Sequence, residues 1–528
     1  MSRIIKSISN FLSKNERIIF YSILLINILF LFRTRFYPSL DGPSHLYNSN
    51  VIKQLIFNNN FLAEFYQINT IAIPNWTSHF LLSLFRFFLP AWLSEKLLLI
   101  LYISGMAVSF RYLIKSLKPE NLALSVFIFP FIYSYLFHLG FYNYALSFIF
   151  FFLTLTYWIN NYKANKPILY LFTGILLLCT FFSNILTFSF LGITIGCMII
   201  YTEFESNASD GKQLALSCVK RLANLALCAL PSLILSFIFL KNVTFSTSTQ
   251  GYDSNELIKW INDVRPLIVY GYEKEVNYTG QIFHVILIIL FLSLVLKQNK
   301  VILKDQFSNL KQAILWFPIC LSLVLFFVLP NDSSAGMMSD RLCLLFFIYL
   351  TIITATRNLP INMRTLFYVI IIFIHFSVLK KHSTIIRDLH EDAAMINQSA
   401  NHIEANKIIL PVNLSDNWLE PHFSSYLGVD KPLVILENYE TEVGWFPVRW
   451  NPNSPNILLG ERNTLNGHTF HENKNTQTKR QVDYIFLYGN LSKMEEANMK
   501  ELKEIIAAEF TLEYESENKF IQLYKKKS

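Results

Sequence analysis

Charge is what this chain has least of. Only 16% of its 528 residues are Asp, Glu, Lys or Arg, against roughly 25% in soluble domains. Between Asn121 and Tyr201 the only charged side chains are Lys163 and Lys166. Ion-coupled transporters and proton pumps keep acids or bases at membrane depth, so this scarcity argues against ion coupling. Cysteine is also sparse. Cys179, Cys197, Cys218, Cys228, Cys320 and Cys343 all lie in or beside apolar runs, which excludes a disulfide framework and a CxxC metal site. The chain has no glycine-rich phosphate loop, no HExxH, no EF-hand pattern and no persuasive Ser-His-Asp order. No internal repeat or low-complexity tract is evident.

What is abundant is apolar. Hydrophobic residues make up 53% of the chain, 48 of them Phe, and mean hydropathy is +0.36. Several uninterrupted stretches reach the roughly 20 residues needed to cross a bilayer, so the expected fold is a polytopic α-helical membrane protein. The net charge of +8 does not point to nucleic acid, because the basic residues sit mostly in short loops between apolar runs. The run Ile18 to Phe32 follows Arg3, Lys6, Lys14 and Arg17 and precedes "RTRFYPSL" without a small-x-small cleavage pattern. It reads as an uncleaved first helix.

About eleven spans are expected, near 18–36, 94–114, 121–137, 140–159, 167–183, 184–201, 222–240, 281–297, 312–329, 339–356 and 363–380. The stretch "NWTSHFLLSLFRFFLP" (Asn75 to Pro90) is short and interrupted by Arg86. It reads as an amphipathic helix lying at the interface. With the N-terminus in the cytoplasm, the inside loops carry Arg111, Lys115 and Lys118; Lys163 and Lys166; Lys212, Lys220 and Arg221; Lys297, Lys300, Lys304 and Lys311; Arg357 and Arg364. The outside turns near Leu139 and Asn184 carry no basic residue, which satisfies the positive-inside rule. Counting 75–90 as a span would invert every later loop.

This topology places 37–93, 241–280 and everything after about 381 outside. The expected division is a transmembrane domain over 1–380, including the outer loop 37–93, and a small C-terminal extracytoplasmic α/β domain over 381–528. In the latter, "KIILPV", "KPLVILEN", "DYIFLYG" and "KFIQLYKK" read as strands. "SKMEEANMKELKEIIAAEF" reads as an amphipathic helix with Met494, Met499, Leu502, Ile505 and Ile506 on one face.

An acid stands at the mouth of the first span, Asp41 of "LDGPSH". Asp before Gly-Pro is a helix-start signal, so a capping role is one reading. The order of features supplies another. A first helix, an outer loop opening with an acid, an interfacial helix, many spans and an outer C-terminal domain resemble the GT-C glycosyltransferases, which include dolichyl-phosphate-mannose-dependent enzymes and bacterial aminoarabinose and mannosyl transferases. The likeness covers roughly residues 15–200 by motif order. It implies a bacterial cytoplasmic (inner) membrane location, a lipid-linked sugar donor and Asp41 as general base. Two departures stand out. Gly42 occupies the place where that family often has a second acid, and "IPNW" (Ile73 to Trp76) lacks the lysine of a Lys-Pro-Pro-like start. Lys96 of "LSEKLLL" matches a basic residue common at the start of the following span.

Transfer from a lipid phosphate needs a carboxylate to take the acceptor's proton and cations on the departing phosphate. The candidate cations are Lys96, Arg86 and Arg341, with Asp340 and Arg341 at the outer end of a span. Arg341 has a plain alternative in pairing with Asp340 or snorkelling to headgroups. His45 is either an orienting group for carboxylate or phosphate or an interfacial polar residue. Tyr142 and Asn143 of "HLGFYNYALS" are candidates to line a lipid-sugar cavity. Glu273 and Glu275 are candidates for the missing second acid, and Trp445, Phe446 and Trp450 for sugar stacking or for core.

The expectation is therefore sugar transfer from a polyprenyl-phosphate donor to an acceptor on the outer face. Asp41 is the catalytic residue, and His45, Lys96, Asn143, Arg341 and Asp340 are substrate contacts. No cofactor and no metal ligand is named, although some relatives use a divalent metal. The alternatives are a non-catalytic membrane protein that binds a lipid-linked glycan or a partner, and a lipid flippase or transporter.

Overall fold

The structure is a computed structural model. It describes residues 2–162, 166–207, 211–242, 251–295, 314–331, 336–460, 464–465, 468–469, 473 and 475–527. Lys163, Lys297, Lys300, Lys304 and Lys311 of the expected inside loops lie outside the described residues.

Among the described residues, seven helices are long and apolar enough to cross a membrane: Ala91–Leu117, Tyr142–Asn161, Ile185–Glu205, Gly211–Asn242, Tyr272–Val295, Met338–Ala355 and Ile361–His402. Three shorter apolar segments, Pro119–Ile132, Pro167–Ser183 and Trp316–Val328, fall on expected spans. At 1.5 Å per residue the latter two stop short of a hydrocarbon core about 30 Å thick. The first expected span belongs to α1 (Ser2–Leu31). The span expected at 121–137 is a 3-10 segment, Pro119–Ile128, followed by two four-residue helical turns. Pro130 lies within the first of these turns, where it cannot donate to a helical ladder. Large apolar side chains such as Leu227, Phe237, Phe291 and Phe373 are more than half exposed, as lipid-facing residues are. The protein is a helical membrane protein.

The chain divides into two compact units. The first holds Met1–Phe30, Ile100–His138 and Asn143–Ile385; the second holds Leu31–Leu99, Leu139–Tyr142 and Ile386–Ser528. Residues 37–93 thus fall in the same unit as the C-terminal region. The boundary expected at 380/381 falls inside one continuous helix, Ile361–Ser399.

In the first unit, Met338–Ala355 is buried along most of its length. Arg111 pairs with Glu16 (2.7 Å) and lies over the Phe20 ring.

In the second unit, α2 (Gly42–Ile56), α3 (Asn60–Phe65), β1 (Tyr66–Ile68), α4 (Thr77–Arg86) and the start of α5 (Ala91–Leu117) join the C-terminal elements. These are β2 (Lys407–Leu414), β3 (Leu433–Ile435), β4 (Val448–Trp450), β5 (Asn456–Leu458), β6 (Thr464–Leu465), β7 (His468–Thr469), β8 (Lys479–Gln481), β9 (Tyr484–Gly489), β10 (Phe510–Glu515) and β11 (Ile521–Lys526). The main sheet runs β10-β11-β9-β2-β3. Its β2–β3 and β2–β9 pairs are parallel, and β11 pairs antiparallel with β9 and β10. All four expected strands are present, and β10 is a fifth. The amphipathic helix shortens to Lys500–Glu509, with Leu502 and Ile506 buried.

Beside this sheet, β1 pairs antiparallel with β4 through Gln67↔Arg449. Residues 37–93 and the C-terminal region therefore build one fold together.

Two helices in this unit are polar on the inside. The first eleven residues of α2 are buried, among them Ser44, His45, Asn48, Ser49 and Asn50. Such burial is costly unless each group is bonded, and here the bonds are made. Asn50 Nδ2 donates to the Gly428 carbonyl (2.9 Å), and the Tyr47 hydroxyl donates to that of Leu433 (2.7 Å). The helix α4 buries Ser78, His79, Leu82, Ser83 and Arg86, one face at helical spacing. Phe80, Leu84, Phe87 and Phe88 remain exposed on it or just beyond it. Outward apolar residues over an inward polar face suit an interfacial helix.

Candidate functional site

The site lies within the second unit and begins at the entry to α2. Asp41 occupies the N-cap position of that helix, yet its side chain makes no capping bond and its backbone is helical (φ −91°, ψ −16°). Its carboxylate is released from capping and turns elsewhere. A turn from 139–142 fixes the backbone here: the Asp41 N–H donates to the Leu139 carbonyl (3.0 Å). Gly140 has φ +82°, and a Cβ on it would sit 2.5 Å from the Gly42 nitrogen. A Cβ on Gly42 would in turn collide with the Ser39 hydroxyl and stand 2.6 Å from the Tyr142 hydroxyl. Position 42 therefore has no room for the second acid that the family resemblance expects there.

Two acids come instead from the segment 437–440. The Asp41 carboxylate lies 3.7 Å from His422 Nε2. Nδ1 of the same ring meets Glu437, whose other oxygen accepts from the Ser424 hydroxyl (2.9 Å). The His422 ring stacks on Tyr439 at 4.3 Å. One turn along α2 from Asp41, His45 Nδ1 lies 2.6 Å from Glu440 Oε1. His79, from α4, places Nε2 2.8 Å from Glu440 Oε2. Asn48 Nδ2 donates to the same Oε2 (2.7 Å) and also to Asn438 Oδ1. Phe446 closes over both imidazoles, 5.8 Å from each ring.

Burial is graded across the cluster. The side chains of His45, His79 and Glu440 are 3%, 0% and 0% exposed, whereas Asp41, His422 and Glu437 are 10%, 17% and 25% exposed. The His-Glu-His group is sealed, and the Asp41–His422–Glu437 group is less deeply buried.

The electrostatics follow from this grading. Burial raises the pKa of Asp41, and the charges of His422 and His45 only partly offset that rise. Burial opposes protonation of His422, but Glu437, then Asp41 and Glu440, carry its pKa up to about 9. Burial also disfavours the Glu440 carboxylate, yet His79 and His45 hold its pKa well below the usual range. Burial lowers the pKa of His79. It would lower that of His45 too, but Glu440 and Asp41 raise it. A carboxylate with a raised pKa is equipped to accept a proton. The ligand atoms of His45, His79 and Glu440 lie within 4.8 Å of one another, so these three could hold a metal ion.

Among the residues expected from sequence, Asp41 and His45 come together here. Lys96 lies in the same unit, buried on α5, with its Nζ 5.8 Å over the Tyr37 ring. That ammonium has no hydrogen-bond partner among the described residues. Its neighbour Glu95 accepts from the Tyr37 N–H (2.9 Å) through one oxygen, while the other oxygen is unmatched.

Arg86 serves the fold. It pairs with Asp430 (2.8 Å) and donates to the Val429 carbonyl (2.6 Å). Asn143, Asp340 and Arg341 fall in the first unit. There Asp340 faces Arg265 at 3.8 Å rather than Arg341. Arg341 Nε donates to the Gly336 carbonyl (3.1 Å), and its guanidinium lies over Tyr144. Asn143 is buried.

Glu275, offered as a replacement second acid, accepts from the Val269 and Tyr270 N–H groups (2.6 and 3.1 Å) in that same unit. Tyr142 bonds Ser39 (2.9 Å). Trp450 packs on Tyr66 with the ring centroids 4.9 Å apart and is only partly buried. His79, His422, Glu437 and Glu440 were not singled out from sequence. The signal available was a concentration of His and Glu in "EPHF" and "ENYETE", far from Asp41 along the chain.

The fold and this cluster define a helical membrane protein with a polar, acid- and histidine-lined centre built on the 37–93 and C-terminal segments. No protein-family model matches the chain, and no curated protein matches it in sequence.

Proposed function

We propose that the protein is a membrane glycosyltransferase that moves a sugar from a polyprenyl-phosphate donor to an acceptor hydroxyl, with Asp41 as general base. The observation that carries this reading is the state of Asp41. It sits at a helix start without capping it, at the less deeply buried edge of the cluster, beside His422.

In the reaction the acceptor oxygen attacks the anomeric carbon as its proton passes to Asp41. The bond from that carbon to the phosphate oxygen breaks, and the electron pair leaves with the lipid phosphate. His422, held by Glu437, keeps positive charge next to Asp41 and orients it. The resemblance expects a cation for the departing phosphate, and the unmatched buried ammonium of Lys96 supports that role, since a phosphate oxygen would complete its hydrogen bonding. The reading carries the outer face of a bacterial inner membrane as the site of reaction.

The test is transfer from a panel of radiolabelled polyprenyl-phosphate sugars by membranes bearing wild-type protein or Asp41→Asn. A general base contributes about 10²–10⁴-fold, so the variant should lose activity by that factor while still binding carrier. Equal transfer by both proteins would remove Asp41 from the chemistry. Carrier binding without transfer by wild-type across the panel would favour a lipid-glycan binder on the same scaffold.

A further inference from the structure

His45 Nε2 lies 3.0 Å from the Gly140 carbonyl, which can only accept, so that nitrogen carries the proton. Nδ1 of the same ring lies 2.6 Å from Glu440 Oε1, a contact that needs either a second proton on His45 or a cation. His79 Nε2 faces the other oxygen, Glu440 Oε2, at 2.8 Å, while its Nδ1 lies 3.4 Å from the Ser78 hydroxyl and the ring also hydrogen-bonds the Asn75 carbonyl. Three ligand atoms from three separate elements thus converge within 4.8 Å in a sealed site. A cation between them would take the place of the protons on the two facing nitrogens.

The outer contacts are those expected around metal ligands. A ligating histidine almost always donates its other N–H to a carbonyl or carboxylate, which fixes the tautomer and the ring orientation. Here the carbonyls of Gly140 and Asn75 hold the rings, and Asn48 holds the carboxylate. Both carbonyls come from unusual backbone, Gly140 at φ +82° and Asn75 at φ +68°. The donors lie on α2, α4 and the turn Glu440–Val443, so one ion would tie the outer loop to the C-terminal segment.

We propose that His45, His79 and Glu440 bind one divalent transition-metal ion of the zinc type. Two imidazoles and a carboxylate suit such borderline ions and disfavour Mg²⁺ or Ca²⁺, which take oxygen donors. The inference does not depend on sugar transfer.

The test uses the full-length protein in detergent. Metal content is measured by inductively coupled plasma mass spectrometry, and Co²⁺ uptake by the metal-free protein is followed by its visible absorption. Wild-type should hold about one ion per chain, and Co²⁺ should give an absorption band typical of nitrogen and oxygen ligation. Glu440→Gln keeps the side-chain size, and His79→Gln keeps a polar group in the site. Each should weaken Co²⁺ binding by more than the about 10–100-fold that outer-shell changes cost. Asp41→Asn, which spares all three donors, should bind Co²⁺ like wild-type even where it abolishes transfer. Folded wild-type that neither carries nor takes up Zn²⁺ or Co²⁺ would overturn the proposal. Full occupancy in both ligand variants would overturn it as well, by placing the ion elsewhere.

Discussion

His422 Nε2 lies 3.7 Å from the Asp41 carboxylate, while the far side of the same ring is held by Glu437. An imidazole between two carboxylates is strongly biased toward its charged form, here with a pKa near 9 against an ordinary 6.5. Proton binding by this ring is therefore stronger in the folded protein than in the unfolded chain. Its contribution to stability is complete below pH 6.5 and disappears as pH rises through about 9. The size is on the order of 3 kcal/mol, at about 1.4 kcal/mol per pH unit. Melting curves of wild-type and His422→Gln should differ most near pH 6 and converge near pH 9.5. A gap that widened with pH would refute the charged ring.

The turn from 139–142 makes a second prediction. Gly140→Ala would strain a left-handed backbone position and push a methyl toward the Gly42 nitrogen, 2.5 Å away. Gly42→Ala would collide with Ser39 and Tyr142. Each should destabilise the protein by about 1–3 kcal/mol. Ser39→Ala should partly rescue Gly42→Ala and leave Gly140→Ala unchanged, as read by melting temperature.

Glu95 and Lys96 are buried neighbours of opposite charge, each with an unmatched side-chain atom. Replacing such a pair with uncharged groups is often stabilising by about 1–4 kcal/mol. The double variant Glu95→Gln, Lys96→Met should melt higher than wild-type without lipid, yet bind polyprenyl phosphate more weakly. Higher melting with unchanged carrier binding would exclude Lys96 as the phosphate contact.

The inverted polarity of α4 predicts where it lies. Phe88 is 81% exposed just beyond that helix, while His79 is fully buried on it. In reconstituted vesicles, Phe88→Trp should be quenched most by lipids brominated near the headgroup. Strongest quenching from acyl-chain ends would mean that the segment penetrates deeply instead of lying at the surface.

Much of the membrane architecture is legible in the chain because transfer into hydrocarbon depends on side-chain composition, which is local. Long apolar runs at Ala91–Leu117 and Gly211–Asn242 announce themselves, as do the short apolar strand around Ile485 and the alternating one around Leu523. Breaks in helix geometry are less visible. The run 121–137 has the composition of one span, but its backbone is a 3-10 segment followed by short turns.

The amino-acid sequence by itself determined that this is a helical membrane protein with a mixed α/β C-terminal region, and that Asp41 stands at a helix start. Tertiary structure decided what Asp41 meets. His422, Glu437 and Glu440 lie 381 to 399 positions beyond Asp41 along the chain, and the pairing of β1 with β4 and the burial of the polar faces of α2 and α4 bring them to it. Ser39 and Tyr142 leave no room for a side chain at position 42, and the carboxylates near Asp41 come from 437–440. Hydrophobic periodicity records which face is apolar; which buried polar groups satisfy one another is a three-dimensional matching that no local pattern encodes.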